Sequence, residues 1–153
     1  MRVYLVQHGK ACDERVDPSR PLTAEGRNEV EAIARFLAGT GWPKPFGIVH
    51  SGKLRAQQTA EIFAEHWRIG EVRADPELAP LADPGVWAAH LAGMQEDWML
   101  VGHLPHLARL AGLLLCGDAD KAPVRFRNGG VVCLVREDGR WALAWALVPE
   151  LVL

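Results

Sequence analysis

The chain has 153 residues, 49% of them hydrophobic and 24% charged, with a formal net charge of -2. That length supports one domain with its own core, and the apolar content is too high for a disordered chain. The charge balance excludes a nonspecific nucleic-acid or membrane binder, which needs an excess of Lys and Arg, so any bound anion must be gripped by a few local groups.

The run Val3 to Val6 is apolar and partly β-branched, which predicts a strand buried on both faces with His8 and Gly9 just past its end. Thr23 can cap a helix in which Val30, Ile33, Ala34 and Leu37 recur at i, i+3, i+4 and i+7, and Gly39 and Gly41 stop it. Phe46 to His50 reads as a second strand, and Lys53 to Trp67 as a helix with Ala56, Ala60, Phe63 and Trp67 on one face. A short strand is expected around Val72. Asp83-Pro84 opens a third helix, to which Trp87, His90, Leu91 and Met94 give an apolar side.

Trp98 to Val101 is another buried strand, ending at Gly102 and His103. Pro105 then opens a helix carrying Leu107, Leu110, Ala111 and Leu114, closed by Gly117. Gly130 to Arg136 and Trp141 to Leu147 flank Asp138-Gly139, a hairpin signal. This order predicts an α/β fold: a three-layer αβα sandwich over residues 1–153, its mostly parallel sheet ending in an antiparallel edge hairpin.

Cys12, Cys116 and Cys133 are odd in number and widely spaced, which suggests neither a disulfide framework nor a zinc site. With no basic leader and no apolar run of membrane-spanning length, a cytoplasmic protein is expected.

In parallel sheets, ligands bind beyond the carboxyl ends of the strands. Three segments arrive there together: Gln7-His8-Gly9, the stretch from His50 to Arg55, and the stretch from Gly102 to His106. Two histidines, a guanidinium and helix N-termini around one concave edge make an anion site with a nucleophile. Phosphoryl transfer fits it best, since a neutral imidazole can attack phosphorus while Arg55 and a second histidine hold the oxygens. His103 and His106 have no nearby carboxylate or cysteine to complete a metal site, so neither metal nor other cofactor is expected.

The segments "LVQHGKA", "SRPLTAEGR", "VHSGKLRAQQTAE", "LVGHLPHLARLAGLLL" and "WALAWALVPELV" resemble, over nearly the whole chain, the histidine phosphatase (phosphoglycerate-mutase-like) superfamily, and within it the short SixA-type phosphohistidine phosphatases. The resemblance implies that His8 is the nucleophile, Arg55 a phosphate ligand and His103 the second histidine on the phosphoryl group. Gly9 and Arg20 are carried over as substrate-binding positions, Arg20 at the mouth. Ser51 reads either as a phosphate-facing group or as a helix cap.

Gln7 breaks the pattern, because the family has arginine before the nucleophile. Glutamine keeps N–H donors but loses the charge and the forked geometry. Lys10 and Lys53 are candidates to restore charge, with surface solubility as their other reading. Glu77 is the candidate acid for the leaving group, whereas Asp83 reads as a helix cap. The expected substrate is phosphohistidine on a protein partner, handled by a monomer or weak dimer. The alternatives are a phosphatase for small phosphoesters and a catalytically weakened phosphoprotein-binding module.

Overall fold

A computed structural model describes residues 1–153. Its strands are β1 (Arg2–Gln7), β2 (Gly47–His50), β3 (Glu71–Ala74), β4 (Trp98–Gly102), β5 (Val131–Glu137) and β6 (Arg140–Leu147), in sheet order β3-β2-β4-β1-β5-β6. The first four in that order run parallel, and β5 and β6 add the antiparallel edge. Asp138 and Gly139 both take positive φ, 52° and 74°, as a tight hairpin turn requires.

The strand alternation sorts side chains into two cores. Tyr4 and Val6 of β1 join Ile48, Met99 and Val101 under α1 (Ala24–Gly39) and α2 (Leu54–Trp67). Val3 and Leu5 join Val49 and Leu100 on the opposite face, under α3 (Pro84–Gly93) and α4 (His106–Cys116). The α/β three-layer architecture expected from the sequence is therefore present, with a helix pair on each face.

Local signals hold in detail. The Thr23 side chain accepts a hydrogen bond from the Gly26 N–H at 2.9 Å, Asp83 does the same for Gly85 at 2.9 Å, and Gly117 closes α4 at φ 69°. One placement differs. His90 is exposed, its ring lying edge-on against buried Trp87 with centroids 5.1 Å apart, because Trp87 and Leu91 take the core-facing side of α3 and leave position 90 beside it.

Candidate active site

Strand register builds the site. Gln7 of β1 stands opposite Gly102 of β4, and His50 of β2 stands opposite Val101. The next residues out of these neighbouring strands are therefore His8, His103 and Ser51, all at one sheet edge. The His8 N–H donates to the Gly102 carbonyl at 3.1 Å, extending the ladder by one bond, and the His8 and His103 ring centroids are 4.9 Å apart.

The His8 ring is fixed by its neighbour, with Nδ1 2.7 Å from the Gly9 carbonyl oxygen. A carbonyl only accepts, so Nδ1 carries the proton and Nε2 keeps its lone pair. The Asn128 amide donates to the His8 carbonyl at 2.9 Å, and the Gly129 N–H reaches the Gln7 carbonyl at 2.9 Å. The Gly9 N–H donates to Thr59 Oγ1 at 3.0 Å, and that hydroxyl donates to the Arg55 carbonyl at 2.8 Å. Thr59 thus ties the His8–Gly9 loop to the first turn of α2. Asn128 and Thr59 escaped sequence reasoning; "RNGG" shows only a turn, and Thr59 lay inside a motif whose other residues drew the chemistry.

Gly9 has no room for a side chain, since a Cβ there would lie 2.8 Å from Val30 Cγ2. Close packing of this loop against α1 holds His8 at the strand end.

Burial pulls the pKa of His8 down to about 4, its bond to Gly9 opposes this, and the charges of Arg55 and Arg20 lower it further. His103 is pulled down to about 3, first by burial and then by His8, Arg55, Lys53 and His106. Both rings are neutral at pH 7, the form in which imidazole is nucleophilic. Burial, followed by the charge of Arg20, also lowers the pKa of Arg55.

Arg20, Lys53 and Arg55 form no ion pair with a carboxylate of the chain. Arg20 sits at φ 50° with Nε donating to the Cys12 carbonyl at 3.0 Å, and the buried Nε of Arg55 has no partner. The charges of Arg55 and Arg20 both act on His8, which puts the two guanidinium groups within its electrostatic reach. Lys10 is drawn away instead, its amine 2.8 Å from Glu25 Oε1 and 3.9 Å from Glu29 Oε2. Of the two lysines, Lys53 is the one whose charge reaches His103.

The Gln7 side chain makes no hydrogen bond within the protein, and its buried Oε1 has no partner. Ser51 Oγ lies 2.6 Å from His103 Nε2, so its hydroxyl is engaged by the histidine. Glu77 is exposed on the single 3-10 turn Pro76–Leu78, bordering a cavity of about 510 Å³ that Lys53 and Leu81 also line. His106 is fully buried at the start of α4 with both ring nitrogens unpartnered.

Known proteins are similar to this chain over most of its length. Phosphohistidine phosphatase SixA of Escherichia coli strain K12 is 28% identical over 156 aligned residues, covering 97% of this chain and 94% of that one. An uncharacterized protein of Picosynechococcus sp. is 34% identical over 145, covering 88% and 84%. A solved structure of the protein histidine phosphatase SixA complexed with tungstate superposes with a TM-score of 0.87 at 27% identity, covering 100% of both chains. The family model of the histidine phosphatase superfamily (branch 1) matches residues 3–90, from β1 into α3, which takes in the loops after β1 and β2 and ends before His103. The chain belongs to the histidine phosphatase superfamily.

Proposed function

We propose that the 153 residues act as one cytoplasmic domain that hydrolyses phosphohistidine on a protein partner, through a covalent phosphoryl intermediate on His8, at a rate reduced by Gln7. The observation that carries the reading is the pairing of a neutral His8, protonated on Nδ1 by its bond to Gly9, with His103 at 4.9 Å beside uncompensated Arg55. The similar SixA structure holds tungstate, a tetrahedral oxyanion of the kind these groups suit.

In the first step the His8 Nε2 lone pair forms a bond to phosphorus as the bond to the substrate imidazole breaks. The departing imidazole takes a proton, for which Glu77 is the proposed donor. Its conjugate acid has a pKa of about 6.5, so imidazole departs more readily than an alkoxide and asks less of that acid. In the second step water attacks phosphorus, its proton returns to the carboxylate, and the bond to Nε2 breaks to release phosphate. Arg55, His103, Gln7 and the Gly9 loop hold the phosphoryl oxygens, with Arg20 and Lys53 at the mouth.

Gln7 favours a second reading, in which the protein binds phosphorylated partners without turning them over. Phosphate release from a phosphohistidine-bearing protein, p-nitrophenyl phosphate and a sugar phosphate separates the cases. Preference for phosphohistidine supports the proposal, preference for an ester moves the substrate to small molecules, and binding without release leaves a recognition module.

A further inference from the structure

Ser51 and His103 are both buried, 7% and 2% exposed, and their 2.6 Å contact is compatible with a hydroxyl that either donates or accepts. The backbone settles which. The Lys53 N–H donates to Ser51 Oγ at 3.3 Å, so the oxygen already accepts one bond. Were it also to accept from His103 Nε2, the hydroxyl proton would be buried with no acceptor, since Ser51 Oγ makes no other side-chain hydrogen bond. A donating hydroxyl satisfies Ser51 in full, with Lys53 N–H to Oγ and Oγ–H to the His103 Nε2 lone pair, and leaves one buried group of the pair open where the accepting arrangement leaves two. Neutral His103 then carries its proton on Nδ1, the ring atom that is buried and unpartnered.

We infer that Ser51 is a positioning residue that sets the tautomer of His103, so that Nδ1–H is the donor offered to the phosphoryl group on His8. The inference rests on the phosphatase reading of the site and assigns Ser51 a role through His103 instead of direct contact with phosphate. The two histidines then present opposite faces of the same chemistry. A carbonyl at Nδ1 of His8 leaves a lone pair on Nε2 for attack, and a hydroxyl at Nε2 of His103 leaves an N–H on Nδ1 for the oxygens. With the other tautomer, His103 would turn a lone pair toward anionic oxygens.

The test combines a tautomer measurement with kinetics on the full chain. Two-bond nitrogen–proton NMR of histidine-labelled protein at neutral pH reads which nitrogen of His103 is protonated, with and without inorganic phosphate. The native protein is expected to show the proton on Nδ1, with that nitrogen shifting on phosphate addition. Ser51→Ala is expected to lose this tautomer preference and to lower kcat for phosphohistidine by about ten- to a hundredfold, less than removing an oxyanion donor outright, with little change in KM. Ser51→Thr, which keeps the hydroxyl, is expected to restore both. A native His103 protonated on Nε2, or an unchanged tautomer in a folded Ser51→Ala, overturns the inference. If the native protein fails to turn over yet the tautomer follows the hydroxyl, the phosphatase reading falls and the role of Ser51 in setting His103 stands.

Discussion

Gln7 and Gly102 face each other across β1 and β4, and this register sets His8 beside His103. Glutamine at the last paired position of β1 places an amide where the family's permanent charge belongs. Hydrogen bonds to charged groups contribute about 1.5 to 3 kcal/mol, so Gln7→Arg is expected to raise kcat about tenfold to a few hundredfold. Steady-state phosphate release from a phosphohistidine substrate measures it. An unchanged kcat means that Arg20 and Lys53 already supply the charge.

Arg55 has a buried Nε without a partner and no ion pair with a carboxylate, and the proposed function assigns it to the phosphoryl group. Arg55→Lys keeps the charge but loses the planar fork, and is expected to weaken binding of inorganic phosphate about tenfold or more. Calorimetric titration of both proteins gives the ratio.

Gly26 packs under the loop after β1 so closely that a Cβ would lie 2.2 Å from the Lys10 carbonyl oxygen, itself an acceptor for the Thr23 N–H at 3.0 Å. Relief requires moving backbone. Gly26→Ala is expected to destabilise the fold by at least about 2 kcal/mol in urea unfolding, in the range of overpacked sites. Gly93→Ala, with nothing within 4 Å, is expected to stay within about 0.5 kcal/mol of native.

Acid is expected to unfold the protein partly through its neutral histidines. The folded pKa values of His8 and His103, about 4 and about 3, lie below the unfolded value of 6.5. As pH falls, the unfolded chain takes up protons first, so stability is full above about 6.5 and declines as pH drops toward 4 and then 3. His50 and His106, also lowered by burial, add to the slope. His103→Asn removes one contributor, so its Tm is expected to fall less than that of the native protein between about pH 7.5 and 4.5.

The sheet, the helices and the meeting of three loops were legible because each rests on local pattern. Val3 to Val6 is apolar throughout, Thr23 and Asp83 cap helices through their own side chains, and parallel strands send their carboxyl ends to one edge. What was not legible depends on which of several partners a side chain takes. Ser51 could cap a helix, face an anion or bond a histidine, and only the register of β2 against β4 selects His103. Lys10 follows His8 by two residues, yet α1 offers Glu25 within reach and takes its amine. Asn128 reaches the His8 carbonyl across 120 residues of sequence, a distance at which no local signal exists. His90 fitted a helical apolar face by spacing, but Trp87 and Leu91 take the buried side of α3 and leave it exposed.

The most direct test of covalent catalysis at His8 is rapid-quench mixing of the protein with a radiolabelled phosphohistidine substrate, following acid-labile label on the protein and free phosphate beside His8→Ala. The account predicts that label appears on the native protein before phosphate is released, and that His8→Ala shows neither. Phosphate release by His8→Ala at the native rate, or native turnover in which the protein never carries label, would contradict it.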